Sequence, residues 1–349
     1  MSGFKASEKA VQTVLRSYRR QVDLLPTDYL RQFFRIKYGD DLSAINRLTP
    51  KDSIWMNKIR RMHQAVRKLE AANSGRAKAM DYILEFAYGR RGKLRWELSE
   101  PFLSSLSTPP IPERIIPAVE KSRPPVYSPE LTALLTSSPS RMRRAKPLSP
   151  NHVNTPPNLP ARANPDSEDA RLYGPFSKRR EVNIRWRHFA SNHKKILPPL
   201  EIIYQETSES GEISRSTSKN VLLAAGIRSP GMQGTSIFRD VELIAQAHPI
   251  PLTRRERKSH PQPDRQVSDH PTVLNSHLPR KFLRRAYRRL LSGLPIMTYF
   301  SKQSAGNGDG DPGRFTVTLH ENALSTTNSI NMLEADRRDT AWLVDTGKK

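Results

Sequence analysis

The prolines of this chain are unevenly distributed, and they limit where it can fold because proline lacks a backbone N–H and interrupts helices and sheets. Residues 1–100 contain two of the 29 prolines, whereas residues 101–175 contain sixteen. This contrast predicts a folded region over 1–100, followed by a Pro/Ser-rich disordered linker over 101–172. Only 36% of the residues are hydrophobic, which indicates that much of the remaining chain cannot bury a core.

The first hundred residues show the three- and four-residue apolar spacing of amphipathic helices. The pattern predicts an antiparallel bundle of three long helices and a short fourth. Thr27 and Thr49 are the predicted N-caps of the second and third helices, and Gly39 and Asn73-Ser74-Gly75 are the predicted ends. The apolar positions, in chain order, are Val11, Val14, Leu15, Tyr18 and Val22; Leu30, Phe33 and Phe34; Trp55, Ile59, Met62, Val66 and Leu69; and Met80, Ile83, Leu84 and Ala87.

An apolar pattern returns in places beyond the linker. We predict a basic amphipathic helix in 173–200, a mostly disordered stretch over 201–275, and a partly ordered 276–349 with a basic helix, a short strand and an apolar C-terminal anchor. The predicted fold class is therefore all-α, a bundle followed by a long, mostly disordered C-terminal extension with isolated amphipathic helices. Such short helices are not stable alone, so we expect them to dock on the bundle or on a partner. Their apolar positions are Val182, Trp186 and Phe189; Leu283, Tyr287, Leu290 and Leu291; Phe315, Val317 and Leu319; and Trp342 and Leu343.

The chain is strongly basic. It has 58 Lys+Arg against 34 Asp+Glu, a formal charge of +24, of which residues 1–100 contribute 21 − 11 = +10. Such an excess indicates an acidic partner, which could be nucleic acid, an anionic membrane surface or an acidic protein. The densest basic run consists of Arg280, Lys281, Arg284, Arg285, Arg288 and Arg289.

Two interpretations of this basic run stay open. It can be a solvated helix face, or it can meet an acidic protein surface, a phosphate backbone or an anionic lipid, because like charges on one short helix repel each other. The interleaved Phe282 and Tyr287, like Trp186 and Phe189 in the earlier segment, could stack on RNA bases or pack on the bundle. Of these two roles, we favour packing.

The residues that usually carry catalysis form no recognisable pattern. The chain has no cysteine, which excludes disulfides, thiolate zinc sites and iron–sulfur ligation by this chain. His188 and His193 are five residues apart, not the four that place two metal ligands on one helix face. No phosphate-binding loop or nucleophile elbow occurs, and no apolar stretch is long enough to span a membrane. We therefore predict a binding or assembly protein that is not an enzyme and binds no metal or cofactor directly.

One motif resembles that of a known family. Residues 14–19, Val-Leu-Arg-Ser-Tyr-Arg, resemble the signature of the LYR-motif proteins, small mitochondrial three-helix proteins named for a Leu-Tyr-Arg triplet with a phenylalanine downstream. Here Ser17 replaces the leucine. Residues 29–35 are similar to the family's second helix, with Phe34 in the place of the downstream phenylalanine. Residues 83–98 and the later apolar segments are similar to a longer fungal branch, the Cup-one-like LYR proteins.

The resemblance implies an adaptor that binds mitochondrial acyl carrier protein and supports assembly of a respiratory, iron–sulfur or mitoribosomal complex as its client. In such proteins the acidic helix of the carrier meets basic side chains, and its acyl-pantetheine arm enters the bundle. For the apolar residues of the expected site, including Leu30, ordinary core packing is the open alternative. The expected partner-binding residues are Leu15, Arg16, Tyr18, Arg19, Arg20, Arg31, Phe34 and Arg35.

The resemblance and the charge also suggest where the protein acts and what else it could bind. The resemblance implies the mitochondrial matrix, and the basic N-terminus doubles as the first helix, so we expect no cleaved presequence. The alternative is an RNA-binding protein of the mitochondrial ribosome that uses its basic helices on phosphate groups. The two functions are compatible, since an adaptor can bind both partners.

Overall fold

The computed structural model describes residues 2–48, 53–103, 112–142, 145–207, 213–245, 277–301 and 313–320. No helix within these ranges is long and apolar enough to cross a membrane. The helices are α1 (Ser2–Asp23), α2 (Asp28–Asn46), α3 (Ser53–Asn73), α4 (Ala77–Ala87), α5 (Lys93–Ser99), α6 (Pro129–Thr136), α7 (Asn151–Asn154), α8 (Glu168–Tyr173), α9 (Lys178–His193), α10 (Lys219–Ala224), α11 (Ile237–Ala245) and α12 (Arg280–Leu291). The strands are β1 (Ile202–Thr207), β2 (Ile213–Ser216), β3 (Pro295–Phe300) and β4 (Arg314–Leu319).

Helices α1 to α4 form the N-terminal bundle. Helix α1 packs on α2 and α3, and α3 packs on α4, so that their apolar stripes meet in one core. Tyr18, Leu30 and Leu69 are almost completely buried there, and full burial of a large apolar side chain contributes about 1.5–3 kcal/mol. The four helices predicted in the first hundred residues are confirmed.

Helix α2 begins as predicted but ends later. The Thr27 hydroxyl accepts a hydrogen bond from the Leu30 backbone N–H at 3.4 Å, which confirms the predicted N-cap. The predicted end at Gly39 is wrong, because the helix continues to Asn46. An interior glycine costs a helix about 1 kcal/mol, and burial of Ile45 in the core offsets that cost. The cap predicted at Thr49 lies outside the described residues.

Two glycines shape the turn between α4 and α5. Gly89 and Gly92 have φ values of +67° and +80°, in the left-handed region that favours glycine. A Cβ atom on Gly89 would overlap Leu98, and one on Gly92 would overlap the ring of Phe86. The turn thereby returns α5 to the bundle and buries Leu98.

The basic helix α12 docks on this bundle through its apolar face. It packs on α4 and α11. The ring of Tyr287 meets that of Tyr88 edge-on, with centroids 6.1 Å apart, and its hydroxyl lies 3.4 Å from the Thr27 hydroxyl. Packing on the bundle, and not base stacking, is thus the role of Tyr287. The buried residues of α12 are Leu283, Ala286, Tyr287, Leu290 and Leu291.

Polar contacts fix the position of α12. Arg289 donates two hydrogen bonds to the Asp81 carboxylate on α4, with N–O distances of 3.0 and 2.8 Å. Arg288 Nε donates to the backbone carbonyl of Ala245 on α11 at 2.9 Å. After the helix, the guanidinium of Arg90 occupies the space where a side chain on Gly293 would lie. Two members of the predicted basic run therefore serve the fold.

A second core lies under a mixed four-stranded sheet. The strand order is β2-β1-β3-β4, with β1 and β3 parallel and the outer pairs antiparallel. Ile202 on β1 and Met297 on β3 are completely buried and cluster with the leucines of α6. The described chain is mostly helical, as predicted, but the mixed sheet means that the fold class is not all-α. The strand expected over 315–319 is confirmed as β4. The central strands β1 and β3 were not predicted, because they pair with each other between segments far apart in sequence.

The predicted linker and the stretch after it contain packed elements. Helix α6 buries Leu131, Leu134 and Leu135, and the described residues of 201–275 include β1, β2, α10 and α11. Proline is compatible with this because Pro129 lies at the start of α6, where a helix needs no N–H donor. A high proline content thus predicts that helices and strands are short and often interrupted, but it does not prevent them from packing in a common core. The domain boundaries themselves stay predictions.

Two buried guanidinium groups hold the C-terminal end of α9. Arg95 on α5 donates through Nε to the carbonyl of Ile196 at 2.9 Å and also binds the carbonyl of Lys194. Arg141 donates to the side-chain and backbone oxygens of Asn192 at 3.0 and 3.1 Å. Burial lowers the pKa of both guanidinium groups, yet arginine stays charged at neutral pH. Cations at a helix C-terminus stabilise it, so α5 of the bundle region anchors α9.

Tyr287→Ala is expected to lower the free energy of unfolding by about 4 kcal/mol, because it removes a buried aromatic ring between two helices. Urea unfolding of the full chain measures the change. Arg285→Ala, at an exposed position of the same helix, is the control and should change stability by less than about 0.5 kcal/mol. Equal stability of the two variants would contradict the docking of α12.

Arg95→Met is expected to lower the free energy of unfolding by about 2 kcal/mol, because buried carbonyl groups at the end of α9 lose their donor. Hydrogen exchange should show faster exchange of amides in the last turn of α9. Arg60→Met, an exposed arginine on α3, is the control. Unchanged exchange in α9 would mean that Arg95 does not anchor this helix.

Candidate functional site

Three arginines on α1 face solvent and have no partner among the residues that the structure describes. Arg16, Arg19 and Arg20 are exposed, and none of them makes a hydrogen bond or ion pair with another described residue. The sequence of α1 contains no acid between Glu8 and Asp23. Guanidinium groups bind carboxylates strongly, in bidentate geometry where the approach permits. This face can therefore bind an acidic surface.

An open cleft lies between α1 and α2 beside these arginines. Its volume is about 380 Å³, and it is lined by Tyr18, Arg19, Val22, Arg35 and Tyr38. The rings of Tyr18 and Tyr38 are stacked, with centroids 5.3 Å apart. The cleft combines an apolar and aromatic wall with two guanidinium groups. Such a combination suits a ligand that has an acidic part and an apolar part.

Tyr18 is both a core residue and part of the cleft wall. It is completely buried, and its hydroxyl has no hydrogen-bond partner among the described residues. Burial, and secondarily the nearby carboxylate of Asp41, raise the pKa of the Tyr18 hydroxyl, so it stays protonated. An unpaired buried hydroxyl is destabilising, which makes Tyr18 unusual for a residue that only fills a core.

The other apolar residues of the predicted site belong to the bundle core. Leu30 is completely buried and Phe34 nearly so, and the Phe34 ring packs against Phe33 and Phe86. Leu15 is half-buried against the same core. The ordinary-core interpretation thus fits Leu30 and Phe34, which do not line the cleft.

The two arginines of the predicted site on α2 differ in how easily a partner could bind them. Arg31 Nε donates to the backbone carbonyl of Leu25 at 2.7 Å and so closes the turn between α1 and α2. Arg35 lies at the cleft and pairs with Asp23 at 2.8 Å, with both side chains about half exposed or more. Exposed ion pairs contribute about 0–1 kcal/mol, so a partner can compete for Arg35 but hardly for Arg31.

The predicted basic run lies on a separate helix, α12, and is not part of the cleft. Arg280, Lys281 and Arg285 are exposed, while Arg288 and Arg289 contact α11 and α4. Arg284 also has an interaction within the chain. The six residues are neighbours in the sequence, but in the structure some of them face solvent and the others contact other parts of the chain.

Sequence reasoning missed Tyr38 as a member of the site. Tyr38 follows Arg35, the other cleft residue on α2, by three residues, and this spacing places neighbours on one helix face. The spacing is the signal that could have identified it.

A second cleft, of about 480 Å³, lies between α11 and the sheet. Its lining includes Glu201, Ser236, Arg239 and Glu242, and Glu242 pairs with His320 at 3.1 Å. In the described parts of the chain, no group of three or more His, Asp or Glu residues is placed to hold a metal ion. We assign no chemistry to this second cleft.

The N-terminal bundle thus combines a basic helix face with a cleft at its Tyr-Arg pair. Residues 13–99 match the family model LYRM2-like, described as LYR motif-containing protein 2-like. Over these residues the chain is similar to LYR motif-containing proteins. LYR-motif proteins are generally non-enzymatic adaptors, bind partners such as acyl carrier protein and are typically mitochondrial. No curated protein and no solved structure matches the chain significantly.

Tyr18→Phe is expected to leave the free energy of unfolding unchanged or to raise it by up to about 1 kcal/mol, because it removes an unpaired buried hydroxyl. Tyr29→Phe is the matched control. Its hydroxyl donates to the Ala87 carbonyl at 2.6 Å, so its loss should cost about 1 kcal/mol. Urea unfolding measures both, and a clear loss of stability in Tyr18→Phe would reveal a hydrogen bond at this position.

Proposed function

We propose that this protein is a non-enzymatic adaptor of the mitochondrial matrix that binds acyl carrier protein through α1 and supports assembly of a respiratory, iron–sulfur or mitoribosomal complex. The observation that carries the proposal is the position of Tyr18 and Arg19, the matching residues of the family motif, at one cleft. Beside it lie Arg16 and Arg20, which have no partner among the described residues. The match of residues 13–99 to the LYRM2-like family model supports it.

The chemistry of the surface fits such a partner. Acyl carrier protein would present its acidic helix to the arginines of α1, and complementary charge speeds encounter and fixes orientation. Its acyl-pantetheine group is the one cofactor involved, and it belongs to the partner. The cleft between α1 and α2 offers an apolar wall next to Arg19 and Arg35. Ser17, which stands where the motif has leucine, is half-buried on α1 and leaves both Tyr18 and Arg19 in place.

The client would bind through surfaces outside the matched region. The family match ends at residue 99, whereas the second core and its sheet lie beyond it. The protein's place in the longer fungal branch stays a prediction, and the terminal Trp342 and Leu343 that bear on it lie outside the described residues.

The test measures binding of the full chain to immobilised acylated acyl carrier protein. Reversal of three charges in the variant Arg16→Glu, Arg19→Glu, Arg20→Glu is expected to lower affinity at least about tenfold. The reason is that each exposed pair is worth up to about 1 kcal/mol and 1.4 kcal/mol is a factor of ten.

A matched variant controls for the change in net charge. Arg60→Glu, Arg61→Glu, Arg67→Glu alters the same number of charges at exposed positions on α3 and should retain the wild-type affinity. Equal affinity of the α1 variant and the wild type would refute the proposal. An equal loss of affinity in both variants would mean that binding depends on net charge and not on the arginines of α1.

A further inference from the structure

Helix α9 presents a line of basic side chains to solvent. Arg180 and Arg187 on the helix and Lys194, its C-cap residue, follow one another at intervals of seven residues. This is about two helical turns, so the three form a line about 20 Å long. Arg179 lies beside the start of this line. All four side chains are exposed, and none makes an ion pair or hydrogen bond with a described residue.

No acid on α9 neutralises this line. Glu181 is the one acidic residue in the sequence of this helix, and it is buried. Its carboxylate lies 3.5 Å from Lys178 Nζ and 3.0 Å from the guanidinium of Arg185. The charges of Arg179, Arg180, Arg187 and Lys194 therefore stay uncompensated on α9. A polyanion that binds there would release counterions and gain free energy.

An exposed indole lies beside the basic line. Trp186 is 43% exposed although it is one of the largest side chains on α9. Its Nε1 donates to the backbone carbonyl of Arg123 at 3.0 Å, and its ring meets Phe189 edge-on at 5.7 Å. These contacts fix the ring before any ligand binds, so little conformational entropy is lost on binding. A fixed, exposed aromatic ring among arginines is a platform on which a nucleic acid base can stack.

The basic helix α12 lacks this combination. Tyr287 is completely buried in the bundle core, and Arg288 and Arg289 bind groups on α11 and α4. Helix α12 therefore offers charge without an exposed, fixed aromatic ring. Of the two basic helices that the sequence indicates, α9 is the better surface for nucleic acid.

We propose that the solvent face of α9 binds single-stranded nucleic acid, with the basic line on the phosphates and Trp186 stacked on a base. An acidic protein could use the charges but would leave the indole face unused. A membrane surface requires a row of apolar side chains at the interface, whereas Trp186 is the one large apolar side chain that α9 exposes. The site is separate from the cleft of α1 and α2 and does not depend on acyl carrier protein binding.

The first test measures fluorescence anisotropy of a labelled single strand of about twelve nucleotides, as RNA and as DNA, with the full chain at several salt concentrations. The variant Arg180→Glu, Arg187→Glu, Lys194→Glu is expected to bind at least about tenfold more weakly. The slope of log affinity against log salt should fall by about 2, since each phosphate contact on a single strand contributes about 0.7. Preference for RNA or for DNA identifies which strand the site takes.

A charge-matched variant on α12 serves as the control. Arg280→Glu, Lys281→Glu, Arg285→Glu changes net charge equally at exposed positions and should bind the strand within about threefold of the wild type. Equal loss in the two variants would overturn the proposal, because binding would then follow net charge alone. The α9 variant should keep its binding to acyl carrier protein, so the two proposals can fail separately.

The second test separates stacking from charge. Trp186→Ala and Trp186→Phe both lose the bond to the Arg123 carbonyl, but only phenylalanine keeps an aromatic face. Trp186→Ala is expected to bind about tenfold more weakly, and Trp186→Phe to retain most of the affinity. Circular dichroism should show both variants folded. Equal affinity of Trp186→Ala and wild type, with polyglutamate displacing the strand at equal charge concentration, would assign the face to an acidic protein and overturn the proposal.

Discussion

The burial of α12 against the N-terminal bundle is the interaction on which the rest of the structure depends. A twelve-residue helix with six basic side chains is not stable alone in water, so α12 forms because Tyr287 and its neighbours enter the bundle core. The chain then runs directly into β3, whose Met297 lies in the second core. Docking of one amphipathic helix thus joins the core of the N-terminal bundle to a second core whose buried residues lie between Phe102 and Met297.

Arginine has three different roles in this protein, and only the surroundings distinguish them. Arg95 and Arg141 are buried and bind backbone carbonyl groups at the end of α9. Arg289 is half-exposed and pairs with Asp81. Arg16 and Arg187 face solvent without a partner among the described residues. Desolvating a guanidinium costs so much that it must be paired when buried, so the unpaired arginines are the ones left to bind something else.

The sequence predicted local structure well where a single helix face decided it. The stripes of α1 and α3, the Thr27 cap and the apolar face of α12 follow from a period of 3.6 residues. It failed where a distant contact overrode a local signal, as at Gly39, where burial of Ile45 extends α2. It also failed for β1 and β3, because each is too short to be recognised without its partner. Of the expected site, Tyr18, Arg19 and Arg35 do meet at one cleft, whereas Phe34 and Arg31 serve the bundle.

The sequence by itself determined the N-terminal helices, the family motif on α1, the excess of positive charge and the absence of cysteine. These depend on residue identity and on spacing within one element. Only the tertiary structure decided that α12 covers the bundle, that a mixed sheet forms and that Trp186 remains exposed beside a basic line. The reason is that burial and pairing join residues far apart in the chain. Which charged side chains remain exposed and unpaired therefore depends on the tertiary contacts of the others.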